Sequence, residues 1–87
     1  MSFFEFDNNK SKSNKVKHGI DFDEAKQLWY DANRIIIPAR IIDEPRFLLI
    51  AKIDIKHWSA IFTIRNNKIR IISVRRSRQN EIEIYES

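Results

Sequence analysis

The sequence predicts an α+β fold, an N-terminal strand and two helices packed on a twisted antiparallel sheet arranged as a meander. Three observations predict it. Apolar residues at helical spacing occur only before residue 35, and beyond that point they switch to two-residue alternation. Turn signals then punctuate the alternating part at short intervals. The chain has 87 residues, 43% of them hydrophobic and 11% aromatic, which suits one domain over residues 1–87 and is too apolar for disorder.

The first strand is Phe3-Phe4-Glu5-Phe6, closed by Asp7-Asn8-Asn9. An aspartate there can accept the free amides of a helix beginning near Asn8. Gly19, the single glycine, follows Lys17-His18 and fits the left-handed residue after a helix end, which leaves Lys15, Lys17 and His18 at the negative pole. Val16 is that helix's only apolar member, so it is no core element by itself. Asp21 and Glu24 form a capping-box pattern, and Phe22, Ala25, Leu28 and Trp29 recur at helical spacing through about Tyr30. Ile35-Ile36-Ile37 stops at Pro38, as on an edge strand. After a turn at Asp43-Glu44-Pro45 come three stronger strands, 46–54, 58–65 and 68–75. Beyond them Glu81-Ile82-Glu83-Ile84-Tyr85 alternates like a strand, yet 76–86 also suits a short helix.

Composition excludes several chemistries. There is no cysteine, and His18 and His57 stand 39 residues apart, so no metal site and no cofactor are expected. No apolar run reaches the ~20 residues that cross a bilayer and no secretory signal is visible, so a cytoplasmic protein without a membrane partner is expected. The net charge of +4 is modest, but the charge is segregated. Residues 8–19 hold Lys10, Lys12, Lys15 and Lys17 without an acid. Residues 55–80 hold Lys56, Arg65, Lys68, Arg70, Arg75, Arg76 and Arg78, again without one. Such patches suit a polyanion or an acidic protein.

Asparagine tolerates positive φ, so Asn66-Asn67 predicts a two-residue hairpin with Arg65 opposite Lys68, Thr63 opposite Arg70 and Ile61 opposite Ile72. A second hairpin at Ile55-Lys56 sets Ile53 opposite Trp58 and Arg46 opposite Arg65. One face then carries Phe47, Leu49, Ala51, Ile53, Trp58, Ala60, Phe62, Ile64, Ile69 and Ile71 towards the helices. The other collects Arg46, Arg65, Lys68 and Arg70 at one end. Facing like charges destabilise a sheet, so these cations need an anion, either a phosphate held by guanidinium forks or internal acids such as Glu44, Glu81 and Glu83.

Phe4-Glu5-Phe6-Asp7, Lys10, Asn14, Lys17-His18-Gly19-Ile20, Phe22, Glu24-Ala25, Glu44-x-Arg46, Arg70-Ile71-Ile72-Ser73-Val74-Arg75-Arg76 and Tyr85 together resemble the BrnT toxins of type II toxin–antitoxin systems. The resemblance covers nearly the whole chain in order. It implies a RelE-like fold and a metal-independent endoribonuclease that arrests translation. It also implies a BrnA-like ribbon-helix-helix antitoxin in a heterotetramer that meets DNA only through the antitoxin.

Cutting RNA without a metal uses the 2′-hydroxyl as nucleophile, which needs a base, cations around the phosphorane and a donor to the leaving 5′-oxygen. Arg46, Arg65 and Arg70 are the candidates for charge stabilisation, with His18 or Glu44 as base. Lys17, Lys68, Arg75, Arg76 and Tyr85 are the candidates for holding RNA, Tyr85 by stacking or proton donation. The alternative is a degenerate toxin that only binds an antitoxin or nucleic acid.

Overall fold

In the computed structural model, residues 3–39 and 43–87 are described. The Met1-Ser2 start of the chain therefore lies outside them. The elements are β1 (Phe4–Glu5), α1 (Asn8–His18), α2 (Phe22–Ala25) running on as a 3-10 helix (Lys26–Tyr30), β2 (Ile35–Pro38), β3 (Phe47–Ile53), β4 (Lys56–Arg65), β5 (Lys68–Arg76) and α3 (Gln79–Glu86). The fold is α+β. The five strands lie in the order β1-β5-β4-β3-β2. β2 to β5 are each antiparallel to the next, but β1 runs parallel to β5, so the sheet is mixed and not wholly antiparallel as expected. The helical crossover after β1 permits this, because it carries the chain to the opposite edge before the sheet resumes.

The helix signals act as read. Asp7 accepts the Lys10 amide at 3.0 Å, and Gly19 closes α1 at φ 81° with its amide on the Lys15 carbonyl. Asp21 and Glu24 exchange side chain-to-backbone bonds of 2.7 and 3.0 Å. The expected second helix is α-helical for one turn only and then tightens to 3-10.

Both hairpins exist, one of them displaced. Asn66 and Asn67 take φ 54° and 63° and set Arg65 opposite Lys68 and Thr63 opposite Arg70. The β3–β4 loop is Asp54-Ile55, with Ile53 opposite Lys56. Asp54 adopts φ 56°, a conformation that aspartate tolerates better than the β-branched Ile55 at the expected turn. The displacement is two residues, so every side chain keeps its expected face. It also corrects the expected Arg46–Arg65 pair, because Phe47 faces Phe62, a register that, extended by the one residue before β3, sets Arg46 opposite Thr63 and not Arg65. A further irregularity lies between Ile61 and Phe62, where Ile61 faces Ser73 in place of Ile72.

The core forms between the helices and one face of the sheet. Ile20, Phe22, Ala25 and Leu28 meet Leu49, Ala51, Trp58, Ala60, Phe62, Ile71 and Val74. α1 joins it through polar groups. Val16 is 88% exposed, whereas the buried Asn14 amide donates to the Ile20 and Val74 carbonyls and its oxygen accepts the Val74 amide. The Ser11 hydroxyl, also buried, accepts the Phe22 amide. On the opposite face α3 packs on β3. The tail is therefore helical, and Ile50, which points to that face, is fully buried.

Candidate functional site

Strand pairing builds a cationic surface from two rows of side chains on the face away from the core, at the Asn66-Asn67 end. One row holds Glu5, Arg70, Thr63 and Arg46, the other Lys68 and Arg65. Arg46 precedes β3, and its segment is tied down from both sides. The Thr63 hydroxyl donates to the Pro45 carbonyl at 2.6 Å, and the Ala39 amide donates to the Arg46 carbonyl at 2.8 Å. Glu44 is thereby set against Arg65, whose Nη2 lies 2.9 and 3.2 Å from the two carboxylate oxygens. Arg70 meets Glu5 at 3.3 Å. Arg46 and Lys68 form no ion pair among the described residues. Four cations thus face two carboxylates, leaving a net positive, solvent-open surface.

The remaining candidates lie elsewhere. Arg75 is clamped by Glu81 through two bonds of 2.8 and 2.9 Å. Arg76 lies over the Trp58 ring at 5.4 Å and donates to the His57 carbonyl. Tyr85 donates to Asp31 at 2.7 Å and meets His57 edge-on. Lys17 and His18 are exposed at the end of α1, where they line a cleft of about 200 Å³ with Lys10, Ser13, Ile72 and Ser73 on the helix-bearing side of the sheet. Of the two candidate bases, only Glu44 belongs to the arginine rows.

Asp31 and Phe3 escaped the sequence reading, and Glu81, read as one possible anion for Arg46, Arg65, Lys68 and Arg70, meets Arg75 instead. Glu81 is 5% exposed, and besides Arg75 it accepts the Ser59 hydroxyl and the Arg78 amide. The Arg75 guanidinium, backed by those donors and opposed by burial, holds its carboxyl down at about 2. Asp31 is partly desolvated, but the Lys52 and Asn33 amides and the Tyr85 hydroxyl outweigh that and lower its pKa. Burial and the neighbouring Asp31 push the Tyr85 hydroxyl up to about 12, so it is a poor proton donor. Phe3, just before β1, is 72% exposed. Strand parity was the available signal for it: if one of Phe3 and Phe4 enters the core, the other faces the opposite side.

The family model described as ribonuclease toxin, BrnT, of type II toxin-antitoxin system matches residues 6–81. No curated protein matches the chain.

Proposed function

The chain belongs to the BrnT family of ribonuclease toxins of type II toxin–antitoxin systems, and we propose that its double row of cations is where RNA is cut. Family membership carries with it an RNA substrate and an antitoxin partner. The observation that supports the site is the meeting of Arg46, Arg65 and Arg70 on one sheet end, with Glu44 hydrogen-bonded to one of them.

In this reading the Glu44 carboxylate takes the proton of a 2′-hydroxyl. That oxygen attacks the adjacent phosphorus as the bond to the 5′-oxygen breaks, the 5′-oxygen takes a proton from solvent water and Glu44 returns its own to solvent, giving a 2′,3′-cyclic phosphate and a 5′-hydroxyl. Arg46, Arg65 and Arg70 hold the charge that grows on the phosphorane. DNA lacks the nucleophile and is spared. Lys68 steers RNA to the rows, and Lys17 and His18 hold the chain on the helix-bearing side. Arg75, Arg76 and Tyr85 anchor α3 and the other end of the sheet, away from the rows. The reading extends to a single RelE-like toxin domain over residues 1–87, acting without a metal to arrest translation and neutralised by a BrnA-like ribbon-helix-helix antitoxin in a heterotetramer.

Growth arrest on induction and cleavage of RNA by purified protein in chelator test this. Arg46→Ala is expected to lower cleavage by about a hundredfold or more, with Glu44→Gln also strongly impaired and both variants still folded. Undiminished cleavage in both removes the site. One observation favours a second reading, a non-cleaving binding module: Arg65 and Arg70 already have carboxylate partners. Wild-type protein that binds RNA at low salt and never yields cyclic phosphate ends would establish it.

A further inference from the structure

Phe3 is an aromatic ring placed in water beside the cationic rows. The neighbouring Phe4 packs edge-on against Trp29 at 5.2 Å, on the core side. Phe3 stands at a bend one residue before β1; the alternation of β1, carried back by that one residue, gives it the side opposite Phe4, the face of the arginines. Its carbonyl accepts the Ile69 amide at 2.8 Å, so the backbone at Phe3 is tied to β5 one residue before the paired segment begins. β1 pairs Phe4 with Ile69, which carries Phe3 on to Lys68, and Lys68 faces Arg65. One row of the surface therefore reads Phe3, Lys68, Arg65. Phe3 makes no ring contact among the described residues. An aromatic face flanked by cations is the arrangement by which single-stranded nucleic acid is held, the base on the ring and its phosphate on the charge.

We propose that Phe3, with Lys68 beside it, is a nucleobase subsite of the RNA surface, stacking an unpaired base next to the phosphate held by the arginine rows. This rests on the ribonuclease reading and adds where a base is gripped. Stacking is indifferent to base edges, so the subsite favours single-stranded over double-stranded RNA and selects weakly among bases. Tyr85, the stacking candidate that sequence reading offers, is engaged with Asp31 and His57.

The test uses the full chain and a fluorescein-labelled single-stranded 2′-O-methyl RNA oligonucleotide, which has no free 2′-hydroxyl and cannot be cut by this route. Phe3→Ala is expected to weaken binding roughly fivefold to tenfold, and to raise KM on the corresponding ordinary RNA by a similar factor, with the loss in KM and not in kcat. Phe3→Trp restores binding, whereas Phe3→Leu, apolar without a π face, does not. An oligonucleotide with abasic positions binds wild type and Phe3→Ala alike. Leucine serving as well as phenylalanine, or Phe3→Ala binding as wild type does, overturns the subsite. If Arg46→Ala abolishes cleavage while Phe3→Ala changes nothing, the subsite alone falls. If wild-type protein neither binds nor cuts RNA, the ribonuclease reading falls and the subsite with it. A Phe3→Ala protein that handles RNA normally but escapes its antitoxin assigns the ring to a protein partner and refutes the proposal.

Discussion

Glu81 shows how one residue ties the tail to the sheet. It receives Arg75 through both carboxylate oxygens, Ser59 from β4 and the Arg78 amide at its own helix start. Its carboxyl is held at about 2, against an ordinary 4.5. The folded pKa is the lower one, so this contribution to stability is complete above pH 4.5 and is lost as pH falls from there towards 2. Glu81→Gln is expected to cost about 2–3 kcal/mol at neutral pH and to flatten the acid limb of stability, both measurable by urea melts from pH 7 to 3. Glu81 was legible as a tail acid that an arginine could meet, but a glutamate in an alternating tail carries no sequence mark of burial or of which arginine it takes. The cations of the rows were legible, because hairpin pairing is local and Asn66-Asn67 announces its turn. Glu44 was legible as an internal anion for the rows, but not as the partner of Arg65 in particular, and Arg70 was left without its partner Glu5, which arrives through a parallel pairing 65 residues away in the chain.

At the scale of elements, caps and turns were the readable part. Asp7, Gly19, Asp21 and Glu24 each do in the structure what their chemistry suggests. Asn67→Gly is expected to stabilise the protein by about 0.5–1 kcal/mol, since glycine removes the steric cost of φ 63° there. Asn67→Ala is expected to destabilise it by a similar amount, with thermal melts reading both. The β3–β4 register was missed because Ile55-Lys56 and Asp54-Ile55 leave the same faces buried, and alternation alone cannot separate registers two residues apart. α1 reads as a poor core element because hydrophobic spacing is blind to Ser11 and Asn14, which bind it to the sheet through hydrogen bonds.

The whole molecule is a sheet covered on both sides, by α1, α2 and the 3-10 helix on one face and by α3 on part of the other. Apolar residues on the second face gave notice that something must cover them, but not what. A chain ending at Arg78 is expected to lose at least about 3 kcal/mol and to bind a hydrophobic dye, because Ile50 loses its cover and Glu81 and the Tyr85–Asp31 bond go with the helix. An unchanged melting temperature would show that α3 is not needed for the fold. Sheet order lay beyond sequence reasoning for the same reason as Glu5, since nothing local reveals that β1 joins the far edge beside β5.

The extra residue opposite the Ile61–Phe62 step also sorts two neighbours. With uninterrupted pairing, Trp58 would oppose Arg75, and Val74 would look outward. One inserted position reverses that parity, so Val74 enters the core, Arg75 turns to Glu81 and Arg76 comes to rest on Trp58. A relative lacking that single residue would have to exchange the jobs of its paired arginines or place a guanidinium among hydrocarbons. What the last strand requires at this step is therefore less a particular residue than the right number of them.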